Sequence, residues 1–139
     1  PQTPYFNFFV GYALGKIRAV PDMVWLIRAY WGEMVERGAS SFWEAFDCTS
    51  PPGKLPDKMW SLCHAWSAGP GFLLPTYVLG VAPAEPAWKT VSFRPALAGL
   101  DYAEGTIPTP LGAIEVKLRN GRKPRIKLPK GMAIIKGPS

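Results

Sequence analysis

The chain has 139 residues, a formal net charge of +6 and 47% apolar residues. This length and composition predict one or two small folded domains and argue against disorder. The apolar runs are short and interrupted, which argues against a membrane-spanning segment. Neither a secretory signal pattern nor a paired-cysteine pattern is visible. The absence of both slightly favours a cytoplasmic location.

Charged and aromatic residues are distributed unevenly along the chain. Residues 1–80 hold six basic and six acidic residues, whereas residues 81–139 hold ten basic and four acidic ones. Fifteen of the eighteen aromatic residues precede residue 81. The sequence therefore predicts an α+β chain with two domains, residues 1–81 and 82–139, joined near "GVAPAEPAW".

The first part has the pattern of helices. Thr3 followed by Pro4 is typical of an N-cap with proline at the first helical position. This helix is apolar on all sides, so burial on most sides is expected. A second helix is predicted to begin at Pro21 and to end at Arg37, because Gly38 follows a basic last turn.

A third helix is predicted to start near Asp57 and Lys58 and to include "MWSLCHAWSA", residues 59–68. Pro70 and Pro75 should kink or restart it. Helices that are apolar on nearly every side need cover from other elements. The first part is therefore expected to belong to a larger helical assembly, with its neighbours upstream or in a second chain.

The second part alternates apolar and polar residues, as strands do. Asn120-Gly121 between two such runs predicts a tight hairpin. Polar residues at alternate positions predict a sheet with one wet face, which favours a small antiparallel β-sandwich. The predicted strands lie in residues 89–97, 113–119, 124–130 and 132–136.

A basic run, "KLRNGRKPRIKLPK", covers residues 117–130. A nucleic-acid site is one interpretation, and a solvated strand face is the other. Alternation places the charges on the wet face, and the run lacks the aromatic residues on which bases stack. A solvated face is therefore preferred, and no nucleic-acid or membrane partner is predicted.

Glu44 stands in the most aromatic stretch, "SSFWEAFD", and has two interpretations. Ser41 and Glu44 fit a capping box, with Ser41 as the N-cap and Glu44 reaching back to its amide. Alternatively, Glu44 is a general base, and its aromatic neighbours, Trp43 among them, form a platform for a sugar ring.

His64, the single histidine, also has two interpretations. It is either an ordinary core or surface residue, or a ligand contact at a cavity rim, since Trp66 and a Gly-Pro helix break follow it. Cys63 precedes it directly, but neighbours on a helix point about 100° apart, so a catalytic Cys63–His64 pair is not predicted.

Two stretches closely resemble the bacterial α-L-rhamnosidases: "YWGEMVERGASSFWEAFD", residues 30–47, and "SLCHAWSAGPGFLLPTYVLGV", residues 61–81. "AEGTIPTPLGAIEV", residues 103–116, resembles the start of the β-domain that follows the catalytic barrel in that family. The resemblance covers nearly the whole chain, but it matches the C-terminal part of such an enzyme alone.

The resemblance implies that residues 1–81 are the last helices of an (α/α)6 six-hairpin barrel and that a β-sandwich follows. It implies inverting hydrolysis of terminal α-L-rhamnosides, with Glu44 as general base and His64 contacting the sugar. Trp43 and Trp66 complete the predicted substrate-binding residues. Neither a metal nor a cofactor is expected.

The resemblance also implies a missing partner for Glu44. The general acid belongs to upstream segments of these enzymes, and inversion needs two carboxyl groups. The 139-residue chain alone is therefore predicted to be inactive. The alternative prediction is a non-catalytic carbohydrate-binding or structural fragment.

Overall fold

A computed structural model describes residues 3–47, 49 and 60–135. The chain divides into two compact units, of which the first ends at Leu73 and the second begins at Leu74. The change of pattern in the sequence comes later, at residue 81. The difference arises because Leu79 is part of the apolar core of the second unit. Within the described ranges, no helix is long and apolar enough to cross a membrane.

The first unit is helical, and its start is as predicted. The Thr3 hydroxyl accepts a hydrogen bond from the Phe6 amide at 3.3 Å, and Pro4 is the first helical residue. Pro70 restarts a helix, also as predicted. The elements are α1 (Pro4–Lys16), α2 (Val20–Ile27), a π-helical turn (Arg28–Gly32), α3 (Glu33–Glu36), a 3₁₀ turn (Ala65–Ser67) and α4 (Pro70–Leu73).

The predicted second helix runs through α2, the π-helical turn and α3, and it ends where the sequence indicated. Gly38 has a φ of +83°, which an L side chain rarely adopts. The amides of Gly38 and Ala39 donate to the carbonyls of Val35 and Met34 at 2.9 Å each. These two bonds form a Schellman motif, which satisfies carbonyls left open at the helix end.

Helix α1 buries the side that carries mostly small residues and leaves exposed the side that carries large aromatic residues. Its buried residues are Pro4, Asn7, Gly11 and Gly15. A Cβ atom on Gly11 would lie 2.7 Å from Cδ1 of Leu73, so this glycine allows the close approach. The described residues of this chain therefore do not supply the cover expected on the other sides of α1. Its exposed large apolar residues are Tyr5, Phe6, Phe9 and Val10.

The predicted third helix is also wrong within the described residues. Residues 60–64 are not helical, and His64 has an extended backbone with φ −127° and ψ 106°. The amide of His64 donates to a carbonyl far away in sequence, that of Phe42. A long-range pairing thus replaces the helix. The predicted start near Asp57 and Lys58 lies outside the described residues.

The second unit contains a π-helical turn (Leu74–Val78) and two three-stranded sheets, so the chain is α+β as predicted. One sheet has the order β1–β2–β6 and the other β3–β4–β5. Both contribute to one apolar core, which includes Val91, Ile114 and Val116. The strands are β1 (Val81–Pro83), β2 (Thr90–Phe93), β3 (Tyr102–Thr109), β4 (Gly112–Arg119), β5 (Arg125–Lys127) and β6 (Ala133–Ile135).

The strand pairing departs from the prediction in two ways. β6 joins β2 in parallel, whereas β1–β2, β3–β4 and β4–β5 are antiparallel as predicted. Strand β3 was not predicted as a strand, because Gly105 and Pro108 interrupt its pattern. It forms a tight hairpin with β4 through Pro110 and Leu111.

The Asn120-Gly121 turn forms, but it is not the predicted two-residue hairpin. Arg122 N–H donates to Arg119 O at 3.1 Å, which closes the turn. Of its two central residues, Gly121 has positive φ and Asn120 does not, so the twisted hairpin geometry is not reached. Strand β5 therefore begins only at Arg125.

Candidate active site

The residues around Glu44 and His64 form two paired segments, 41–46 and 60–64. Glu44 N–H donates to Ser61 O at 2.9 Å, and His64 N–H donates to Phe42 O at 2.8 Å. The Ser41 hydroxyl also donates to Leu62 O. These three bonds bring the backbones of Glu44 and His64 together, although they lie twenty residues apart in the sequence.

The Glu44 side chain is half-buried and is held at one oxygen. Its Oε2 accepts a hydrogen bond from Ser61 N–H at 3.0 Å. No helix begins at Ser41, so the capping-box interpretation is wrong: the carboxylate binds a distant amide instead of its own helix start. Among the described residues, no hydrogen bond to Oε1 is seen, which leaves this oxygen able to accept a bond from water.

A cluster of large buried side chains holds the Glu44 segment against the helical residues. Trp43 is 2% exposed and Phe46 is 4% exposed. Both pack on the helical residues Tyr30, Trp31 and Met34. Because Trp43 is buried, its ring anchors the segment in this chain. A direct contact of Trp43 with a substrate stays a prediction.

The segment after Glu44 has a second attachment, at the end of α3. The Arg37 side chain is 3% exposed and forms an ion pair with Glu33 at 2.8 Å. Its guanidinium also lies 5.5 Å from the centroid of the Phe46 ring. A buried cation between a carboxylate and a ring fixes both neighbours. Phe46 is thereby held two residues from Glu44.

The 3₁₀ turn that directly follows the His64 segment is attached to the same helix. The indole N–H of Trp31 donates to Ser67 O at 2.7 Å in a buried position. Trp31 lies in the π-helical turn, a feature that often occurs at functional sites. The turn was not predicted from the sequence. Through Trp31, one helix supports both segments of the candidate site.

An exposed aromatic shelf adjoins His64. The His64 ring lies 6.0 Å from the Trp66 ring, and Trp66 lies 5.2 Å from Tyr5. Tyr5 also stacks edge-on with Phe9 at 5.1 Å. Trp66 is 69% exposed, which suits a platform for a sugar ring. Tyr5 and Phe9 were missed in the sequence analysis, although their spacing of four residues puts them on one helix face.

Cys63 does not face His64. Cys63 is an exposed free thiol, and the extended backbone at His64 points neighbouring side chains to opposite sides. Cys48 lies outside the described residues. No group of three or more His, Cys, Asp or Glu side chains in the described part of the chain could hold a metal ion.

A separate open cleft of about 440 Å³ lies beside the paired segments. It shares Ser41 and Phe42 with the Glu44 segment, but neither Glu44 nor His64 lines it. Its walls are mainly apolar, with Trp31 and Met34 among them. A sugar needs several polar partners for its hydroxyl groups, so the cleft is not the candidate active site.

Comparisons with known proteins agree on one family. Residues 80–129 match the family model described as the bacterial alpha-L-rhamnosidase C-terminal domain. An alpha-L-rhamnosidase of Alteromonas sp. (strain LOR) is 35% identical over 88 residues, which are 62% of this chain and 10% of that protein.

A solved structure extends the likeness to nearly the whole chain. The crystal structure of a GH78 family rhamnosidase of Bacillus sp. GL1 is 30% identical, with a TM-score of 0.78. The match covers 99% of this chain but 16% of that protein. The chain thus spans a small part of the length of both relatives, and the resemblance noted in the sequence is confirmed.

Proposed function

We propose, from the premise that this chain corresponds to the C-terminal part of a bacterial α-L-rhamnosidase, that it supplies the general base of an inverting glycoside hydrolase. The substrate is a terminal α-L-rhamnoside. The observation that carries the proposal is the pairing of the Glu44 segment with the His64 segment beside exposed Trp66. Residues that the family motifs single out are thus neighbours in space.

The proposed mechanism assigns Glu44 to activate a water molecule. Ser61 N–H binds one carboxylate oxygen and orients the group, while the other oxygen accepts the proton of the water. The water attacks the anomeric carbon from the face opposite the leaving group, which inverts its configuration. His64 contacts the sugar, and the Trp66 ring packs against its C–H face.

The proposal includes an upstream partner. The described helices leave Tyr5, Phe6 and Phe9 exposed, which supports a position next to further barrel helices. An inverting reaction needs a second carboxyl group about 6.5–9.5 Å from the base. We assign that acid to the upstream part of the barrel, so the 139-residue chain alone releases no rhamnose.

The test uses the chain assembled with the upstream part of a related barrel, and it measures rhamnose release from an aryl rhamnoside. Glu44→Gln keeps an acceptor for Ser61 N–H but removes the base. Turnover should fall by about 10²–10⁴-fold at an almost unchanged KM. His64→Ala should mainly raise KM, because a sugar contact acts in the ground state and the transition state alike.

Glu36→Gln is the matched control, because Glu36 is an exposed carboxylate on α3 and lies outside the paired segments in the sequence. It should leave both constants unchanged. Proton NMR of the first product should show the β anomer. Near-normal turnover of folded Glu44→Gln enzyme would leave Glu44 as a structural link to Ser61 and would refute its role as base.

The exposed shelf also favours the alternative of a non-catalytic carbohydrate-binding fragment. An exposed ring such as Trp66 can bind a sugar whether or not the chain takes part in catalysis. This alternative predicts that the chain alone binds rhamnosides and that Trp66→Ala abolishes binding. Under the catalytic proposal, the affinity depends on the assembled barrel.

A further inference from the structure

The outward surface of the β3–β4–β5 sheet carries a concentration of positive charge. Ile114, Val116 and Leu118 point into the core, so the residues between them point outward. We name this outward surface the basic face. Its cations are Lys117, Arg119, Arg125 and Lys127.

Two of these four cations have carboxylate partners. Arg119 lies 3.4 Å from Glu104, and Lys127 lies 2.8 Å from Glu115. Lys117 stands opposite Glu104 in the register, but the hydrogen bond of that carboxylate goes to Arg119. The face therefore keeps a net positive charge after its own ion pairs are made.

The two remaining cations are direct neighbours. Lys117 and Arg125 pair across β4 and β5, where same-face Cβ atoms lie about 4.5–5.5 Å apart. Neither forms a close ion pair among the described residues, although Lys117 interacts electrostatically with Glu115 and stands opposite Glu104. Directly opposite like charges destabilise a sheet. An anion bound between these two side chains would remove that repulsion.

An exposed aromatic ring stands opposite the end of β4 on the same face. Tyr102 is 57% exposed and packs beside the Arg119 guanidinium, which lies 4.5 Å from its ring centroid. Cations and an exposed ring thus lie on one surface.

We propose that the basic face binds an acidic glycan, with a carboxylate between Lys117 and Arg125 and a neighbouring sugar ring near Tyr102. The guanidinium group of Arg125 suits a two-point contact with a carboxylate. This surface is on the second unit, whereas Glu44 is on the first, so glycan binding here is a function additional to hydrolysis.

The observations favour a glycan over a nucleic acid. Non-specific single-strand binders stack successive bases on several aromatic side chains. Among the described residues of the basic face, Tyr102 provides one aromatic ring, which can contact one sugar but not a run of bases. The choice of a glycan also rests on the proposed function of the chain as part of a glycosidase. Binding can be measured without turnover, so the two proposals fail separately.

The test measures binding of polygalacturonate to the immobilised 139-residue chain at low salt. The double variant Lys117→Gln/Arg125→Gln should lower the affinity about tenfold, as expected for two exposed ion pairs. The double variant Lys89→Gln/Lys130→Gln removes the same charge outside the strands of the face and should change the affinity less than about twofold. The single variant Lys117→Arg keeps both positive charges and should retain the affinity of the unchanged chain.

Two control ligands test whether binding needs the carboxylates and whether it favours a glycan over a nucleic acid. Methyl-esterified polygalacturonate keeps the sugar rings but lacks the carboxylates, and it should not bind. A single-stranded oligonucleotide should bind more weakly at equal salt. Equal losses in both double variants, equal binding of the methyl ester, or tighter binding of the oligonucleotide would each overturn the proposal.

Discussion

Replacing Gly80 by alanine tests a close approach of two backbone segments in the second unit. Gly80 has a φ of +75°, and an added Cβ would lie 2.3 Å from the Arg94 carbonyl carbon and 2.3 Å from Pro95 N. Backbone atoms cannot rotate away as a side chain can. An L residue at this φ costs about 1–2 kcal/mol.

Relief of the clash would also break nearby hydrogen bonds. Arg94 N–H donates to Gly80 O at 2.8 Å, and Ala96 N–H donates to Val78 O at 2.9 Å. With about 0.5–1.5 kcal/mol for each bond, Gly80→Ala should lower the free energy of unfolding of this unit by about 2–5 kcal/mol, before a gain of about 0.4–1 kcal/mol from the stiffer unfolded chain is subtracted.

Gly99→Ala is the matched control. Gly99 has a similar φ of +81°, but an added Cβ would meet nothing within 4 Å. Gly99→Ala should lower the free energy of unfolding by about 1–2 kcal/mol because of its φ alone. In both variants, the stiffer unfolded chain offsets about 0.4–1 kcal/mol of the loss. Hydrogen exchange of the β1 and β2 amides in urea reports on this unit selectively. Equal destabilisation by the two variants would refute the argument from close approach.

The remaining predictions concern charge and exposure. The Lys127 side chain donates a hydrogen bond to Glu115, and with its charge it holds the pKa of that carboxyl below its ordinary value. The pair therefore stabilises the fold above the unfolded-state pKa of the carboxyl, and its contribution is lost as pH falls through the lower folded-state pKa. Lys127→Gln should raise the Glu115 pKa, as followed by carbon NMR titration, and an unchanged pKa would contradict the pairing. The chain should also self-associate in sedimentation velocity, since monomers rarely expose large apolar patches. The double variant Phe6→Gln/Phe9→Gln should reduce this association, whereas Val35→Gln, at a position also exposed, should not, and a chain that stays monomeric at all concentrations would contradict the prediction.

Local signals in the sequence predicted the local structure well. The helix start at Thr3 and the helix end at Gly38 depend on neighbouring residues, and both were predicted. The β4 alternation likewise follows from residues that are adjacent in sequence. These features could be predicted because each hydrogen bond or burial pattern spans a few residues.

Features set by distant residues were not predictable from local pattern. Residues 60–64 were predicted to be helical, but their backbone groups bind Phe42 and Glu44. Strand β3 was not predicted because Gly105 interrupts its pattern of alternating residues. A Cβ at this position would lie 2.8 Å from Leu79 Cδ1, so the glycine allows Leu79 to pack closely. The placement of Glu44 near His64 came from family resemblance, since no periodicity links residues twenty positions apart.

The paired segments have a consequence for how such a site can diversify. The segments that carry Glu44 and His64 are joined by hydrogen bonds between backbone groups, which do not depend on the identity of most side chains. Substitution of exposed side chains in these segments would change the surroundings of the base without removing those bonds. Evolution, or an engineer exchanging such side chains, can therefore vary those surroundings while the two functional backbones stay paired.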